Sequence, residues 1–422
     1  MFSSSRRRVA EAVEPRASGK PRALLVTVFC AFAALLPVVA VVAPKGTVGL
    51  LLLAAVLAAP AYWWACRRFP VPDARLSIAL GLLIAWCAIA SAWSVEPVQS
   101  LVLAIRMAVI FAAGVVLFAA SAALDEAARK RVGLWLVAGF GVSLAYMAVE
   151  IGLDYPLLRA FKEAHPGKEA VWFNRGAVSL ALIVWPVTAW LWERGARWMA
   201  LAIPVALGIG SVFLESESAM LGFAVGIATV LLVLALPRFG RTVAILASVL
   251  AFVAMPFAAK GMYEHGWHRA DWLINSAQHR VEIWDFTLRR IAEKPLLGWG
   301  FDAARHLETL YSDTSETGRA LMALHPHSVS LQVLLELGSL GAVIVLGLLC
   351  LVAMRLDGVS GRARAFGQAA FVAALAISLV AYGAWQNWWL SLLVSVAILV
   401  PLATAPGTRG GVTRPVLTDA PE

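Results

Sequence analysis

Six of the seven histidines lie between residues 260 and 328, in the longest polar stretch of an otherwise apolar chain. Imidazole titrates near neutral pH, so such clustering outside the apolar runs points to acid–base chemistry in that stretch. His327, in HPHSVSLQVLLELG, stands where the apolar sequence resumes. Pro326 suits the first turn of a helix, and a histidine at a helix N-terminus feels the positive end of the dipole. That favours neutral imidazole and makes His327 a candidate general base. A helix-entry histidine that only bonds backbone is the competing reading. His325, two residues earlier, could pair with it around a metal. No nearby carboxylate has a ligand spacing, so the expectation is no metal and no cofactor.

The basic candidates are Arg175, Arg280 and Arg106. Asn174 and Arg175, in VWFNRGAVSL, stand at an expected helix start, where a guanidinium and free backbone N–H groups suit an anion. Arg280 sits beside His279 on an amphipathic segment. Two arginines on separate outer loops could close on one polyanion; a solvated or headgroup contact is the plainer alternative for each. Arg106, in SLVLAIRMAVIF, lies about two turns inside an apolar run. It either faces a cavity or snorkels to the headgroups. Glu215 and Glu217, in FLESESAM, could bind sugar hydroxyls or an arginine, or form a plain polar turn. The chain has no Walker loop, no GxGxxG after a strand and no acidic pair of the kind that holds a sugar-nucleotide metal. Positive charge for a phosphorylated substrate would have to come from side chains and helix ends.

The elements that position these groups are apolar helices. The chain of 422 residues is 61% hydrophobic and 14% charged, against about 25% charged for soluble domains. A membrane-spanning helix needs roughly 20 mainly apolar residues. Twelve candidates fit: 23–43, 46–66, 76–93, 97–122, 132–152, 175–192, 196–214, 218–237, 241–259, 328–353, 366–385 and 388–405. The expected organisation is a basic tail (1–22), nine spans (23–259) with an outer loop at 153–174, a long helical loop (260–327), three spans (328–405) and a tail (406–422). Both tails are expected to be disordered. Alternate connections carry Arg67, Arg68 and Arg75; Arg129, Lys130 and Arg131; Arg194 and Arg197; Arg238 and Arg241; and Arg355, Arg362 and Arg364. By the positive-inside rule both termini are cytoplasmic and the two long loops lie outside, in the periplasm if the host is Gram-negative. The net charge of +9 thus marks membrane orientation rather than nucleic-acid binding. Many of the 17 tryptophans flank apolar runs, as an interfacial belt requires. The four cysteines lie in or beside apolar runs without metal spacing.

Within the long loop, AQHRVEIWDFTLRRIAE (277–293) places Val281, Trp284, Leu288 and Ile291 on one helical stripe. Asp285, Arg289 and Glu293 fall at i,i+4 on the polar side. Pro295 ends the helix and the turn-rich LLGWGF follows. This helix either lids a cavity or covers the bundle end.

Three segments resemble the O-antigen ligase family and, more broadly, the Wzy-like polymerase and ligase superfamily. They are His327-Ser328 separated by nine residues from Gly338, the block HRVEIWDFTLRRIAEKPLLGWG, and FNRGAVSLAL. Where many relatives carry a Ser-Arg-Gly-like element, this chain has Glu217 in place of the arginine, so no role passes to that position. The resemblance implies an all-α polytopic membrane protein of about twelve spans, with a long periplasmic loop containing amphipathic helices and a GT-C-like glycosyltransferase character. It implies an undecaprenyl-diphosphate-linked O-antigen as donor and lipid A–core oligosaccharide as acceptor in the bacterial inner membrane, with no nucleic acid. His327 would be the base. Arg175, Arg280 and Arg106 would attend the diphosphate, with Asn174, His325, Ser328, Glu215 and Glu217 as further contacts.

Two other activities share the superfamily: O-antigen polymerase and protein O-oligosaccharyltransferase. A polyprenyl-lipid flippase or exporter is a reading of another class. Transport would call for polar groups along a path through many spans, whereas here they gather at the outer face.

Overall fold

The computed structural model describes residues 20–67, 69–71, 73–161, 169–307, 321, 324–356 and 363–404. The expected disordered tails, Arg68, Arg362 and much of the loop between 307 and 324 lie outside the described residues. Among those described, every regular element is helical. In chain order they are α1 (Lys20–Val42), α2 (Thr47–Cys66), α3 (Ala74–Ala90), α4 (Pro97–Ser121), α5 (Glu126–Gly152), α6 (Pro156–Phe161) and α7 (Glu169–Glu193). There follow α8 (Arg197–Gly210), α9 (Glu217–Ala235), α10 (Gly240–Glu264), α11 (Asn275–Glu293), α12 (Val329–Arg355), α13 (Arg364–Val380) and α14 (Asn387–Ala403).

Each of the twelve expected apolar spans coincides with one helix. Nine are long and apolar enough to cross a bilayer, while α8, α13 and α14 are shorter, at 14, 17 and 17 residues. The expected span 366–385 ends early, at Val380. The turn at 381–386 is largely buried in protein, where its irregular backbone finds partners.

The most enclosed spanning helix is α7, whose run from Ala177 to Ala189 is buried on every side. It packs against α1, α8, α13 and α14. Helix ends carrying the basic connections meet in pairs. Asp125 caps α5 by accepting from the Ala128 N–H at 2.9 Å and pairs with Arg22 at the start of α1. Asp73 caps α3 through the Leu76 N–H at 3.0 Å and pairs with Arg355 at the end of α12, 2.6 Å away. Each carboxylate thus satisfies an orphan helix N–H and neutralises a cation.

Helix α11 follows its sequence pattern. Val281 and Trp284 join the main core, while Ile283 and Phe286 pack with Ala304, Leu307, Leu321 and Leu335 in a second apolar cluster. Asp285 and Arg289 pair at 3.1 Å as spaced, whereas Glu293 meets Arg290 at 3.0 Å.

Helix α12 breaks at Gly338, where φ is 66°. A β-carbon there would lie 2.1 Å from the Leu296 carbonyl oxygen, so only glycine fits. Backbone groups around the break are taken up by the segment after α11. Trp299 N–H donates to the Leu335 carbonyl at 2.8 Å, Gly300 N–H to the Glu336 carbonyl at 3.0 Å, and Ser339 N–H to the Pro295 carbonyl at 2.9 Å. The GWG block and Gly338, nine residues removed from Ser328 by the intervening 329–337, are therefore two sides of one joint.

Candidate active site

A cavity of about 380 Å3 opens between α7, α11, the chain entering α12 and the turn joining α13 to α14. Asn174, Arg175, Arg280, His325 and His327 all line it, together with Ser218, His279, Tyr382 and Gln386. Residues more than 150 positions apart thus converge, within the size range of small-ligand sites.

His327 is not the first helical residue. Helix α12 starts at Val329 with Ser328 at its N-cap, and Pro326 and His327 precede it. The helix-dipole argument therefore weakens, and burial takes its place. His327 adopts φ 55°, uncommon for a residue with a side chain. The Trp284 indole of α11 donates to the Pro326 carbonyl at 2.9 Å and steadies this bend. The His327 Nδ1 lies 2.6 Å from the Ala381 carbonyl oxygen. A carbonyl only accepts, so Nδ1 carries the hydrogen and Nε2 keeps the lone pair. Burial holds the imidazole below its ordinary pKa, the Ala381 contact pulls it back up, and the charges of Arg280 and His279 lower it further. The ring is thus a neutral base with a fixed tautomer.

His325 lies behind, its ring tilted by 59° and its centroid 4.3 Å from that of His327. Its Nδ1 lies 3.2 Å from the His327 N–H, and its Nε2 2.8 Å from the Gln386 amide nitrogen. The Trp388 indole donates to Gln386 Oε1 at 2.9 Å and sets that amide's orientation. The neutral ring accepts the His327 N–H at Nδ1, and the added hydrogen of a doubly protonated ring would meet that N–H head-on. Burial first, then the charges of His327 and Arg305, depress its pKa to about 3. Among the described residues, no three His, Cys, Asp or Glu side chains stand together as a metal site.

Asn174 and Arg175 lie in the second turn of α7, which begins at Glu169. Their own N–H groups are inside the helix, so the expected free-amide anion site is absent there and only side chains remain. The Ser216 hydroxyl donates to Asn174 Oδ1 at 2.7 Å, which leaves the Asn174 NH2 to face a ligand. The Arg175 guanidinium lies 5.6 Å over the Trp388 ring. Burial draws Arg280 below the ordinary guanidinium value, while Glu217 and Tyr382 act to raise it. Tyr382 is within electrostatic reach of both arginines. Burial pushes its phenol up to about 12 against their pull, so it stays an O–H donor.

Four expected contacts do not line the cavity. Arg106 is exposed on α4 between the exposed Ile105 and the core-facing Met107, a placement that suits snorkelling. Ser328 is fully buried at the α12 N-cap. Glu215 is exposed with φ 49°. Glu217 opens α9, where its charge reaches Arg280 from outside the cavity. Conversely, Tyr382, Gln386, Ser218 and the Ala381 carbonyl were missed by sequence reasoning. The signal was the break AYGAWQN between two apolar runs, where glycine and two amides mark a turn.

Residues 200–346 match the family model described as O-antigen ligase. A candidate polysaccharide ligase of Rickettsia felis is 26% identical over 332 residues, covering 77% of this chain and 80% of the relative. A second, from Rickettsia typhi, is 25% identical over 334 residues with 77% and 80% coverage. The matched segment contains Arg280, His327 and the Gly338 joint, so these residues lie where the chain is similar to the O-antigen ligase family.

Proposed function

We propose that the protein transfers O-polysaccharide from undecaprenyl diphosphate to the outer-core sugar of lipid A–core oligosaccharide, at the periplasmic face of a bacterial inner membrane. The carrying observation is the convergence of His327, Arg175 and Arg280 on one cavity with Asn174 and Tyr382. The family match over 200–346 supports glycan ligation. The alternating basic connections support a twelve-span, GT-C-like topology with both termini cytoplasmic.

In this reading the acceptor hydroxyl oxygen attacks the anomeric carbon as its proton passes to His327 Nε2. The bond from that carbon to the diphosphate oxygen breaks, and undecaprenyl diphosphate departs with its electron pair. Arg175 and Arg280 stabilise the growing negative charge, and Asn174 and Tyr382 add neutral donors. Direct displacement inverts the anomeric centre. The arginines supply the positive charge that a metal supplies in other glycosyl transfers.

The test uses purified full-length protein, undecaprenyl-diphosphate-linked glycan and lipid A–core, with a chelator present. Glycan attached to core is the expected product. Loss of transfer on chelation would overturn the metal-independent mechanism, and ion-gradient-dependent transport without a new glycosidic bond would overturn the transferase reading. A knockout separates ligase from polymerase. Unattached polymer marks the former, and core bearing at most one repeat the latter.

A further inference from the structure

We infer that Glu336, outside the cavity and fully buried, is a positioning residue that sets the acceptor carbonyl of His327; the inference rests on the reading of His327 as the base. Glu336 lies on α12 nine residues after His327 and is 0% exposed. Its Oε2 accepts from the Trp385 indole at 2.6 Å and from the Asp302 N–H at 3.0 Å. Its Oε1 accepts from the Gln332 amide at 3.0 Å. The Gln332 orientation is fixed independently, because its Oε1 accepts the Ala384 N–H at 2.8 Å. These three hydrogen-bond partners of Glu336 are all donors, so the carboxyl oxygens act as acceptors in each of the three contacts.

A buried carboxylate costs stability relative to an apolar residue of similar volume. What it provides here is a three-way tie. One arm holds the loop after α11 at Asp302, one holds α12 itself, and one holds the 381–386 turn at Trp385. That turn supplies the Ala381 oxygen to His327, the Tyr382 phenol to the cavity and the Gln386 amide to His325. Phe301 packs on the Trp385 ring at 5.4 Å, and a β-carbon on Gly383 would lie 2.8 Å from the His325 ring. The turn thus has little slack, and an indole released from Glu336 moves the chain that carries Ala381. Titratable and charged groups facing His327 from the packed elements are His279 and Arg280 of α11, His325 from its own segment, Tyr382 from the turn and Arg175 of α7. Glu336 is not among them and acts through position.

Two variants test this. Glu336→Gln keeps the volume but offers a single acceptor oxygen, and Trp385→Phe removes the N–H while leaving the carboxyl group intact. Full-length protein in nanodiscs, labelled with 15N-histidine, is titrated by NMR, and His327→Gln identifies the His327 signal. Wild type should show the Nδ1–H tautomer. Both variants should give mixed tautomers, a titration midpoint lower by about one pH unit and a kcat reduced about ten- to hundredfold. KM for the donor should hold within about threefold, as the arginines are untouched. A folded variant with unchanged tautomer and midpoint overturns the inference, even if its activity falls. Should wild type itself lack the Nδ1–H tautomer, the reading of His327 as base fails, separately from the role of Glu336. If Glu336→Gln does not fold, Trp385→Phe alone decides.

Discussion

His327 Nδ1 and the Ala381 carbonyl oxygen stand 2.6 Å apart across 54 residues of sequence. This contact fixes which nitrogen carries the hydrogen. It also restrains a ring whose backbone, at φ 55°, lies in a sparsely populated region. The chemistry of the cavity therefore depends on a turn that contributes no charge of its own.

Replacing His327 by alanine removes the proton acceptor and leaves the guanidiniums in place. Transfer to core should fall by about 10²- to 10⁴-fold, while donor binding to the purified protein persists. Wild-type ligation by His327→Ala in cells would rule out the base.

The pH profile follows from the direction of the His327 shift. In the proposed mechanism the active form is neutral, and its pKa is held below the ordinary 6.5 by burial. The rate should be flat through neutrality and decline only in acid, with the acid limb centred below pH 6.5. Measured kcat against pH checks this, and a limb centred above that value contradicts it.

His325 makes a stability prediction with a definite sign. The unfolded chain binds a proton at His325 below its ordinary 6.5, whereas the folded protein resists protonation until about 3. Stability is therefore full above that window and falls as pH drops through it. Thermal unfolding in detergent should occur at lower temperature as the pH is lowered from neutral toward 5. His325→Gln should flatten this dependence; an equally steep profile in that variant would refute it.

Arg175 and Arg280 share Tyr382 as an electrostatic neighbour. Each alanine variant should weaken donor binding about tenfold or more, and the double variant should lose less than the sum in free energy, because the two act on one anion. Unchanged donor affinity in both single variants removes the clamp.

Gly338→Ala forces a side chain into φ 66° and against the Leu296 carbonyl. The backbone strain alone costs about 1–3 kcal/mol. Lower thermal stability is expected, with partial loss of transfer as the joint beneath His327 shifts.

Much of the fold was legible because runs of apolar residues long enough for a bilayer mark the helices directly. The α11 stripe of Val281 and Trp284 was equally plain. The site was half legible. His327, Arg175, Arg280 and Asn174 announce themselves by type and by their place beside apolar runs. The residues that complete it do not. Ala381 acts through its carbonyl, which no side chain reveals. Tyr382 was absorbed into an apolar run that hydropathy alone extends to 385. Arg106 left two readings open, since depth along a helix says nothing about which face the side chain takes.

The segment matched by the family model ends at residue 346, short of the 381–386 turn, and begins beyond Asn174 and Arg175. His327 and the Ala381 oxygen bonded to its Nδ1 consequently sit on opposite sides of that border. A graft of 200–346 into another scaffold would carry the imidazole without its hydrogen-bond partner, so exchange of this segment between relatives is constrained by a carbonyl outside it.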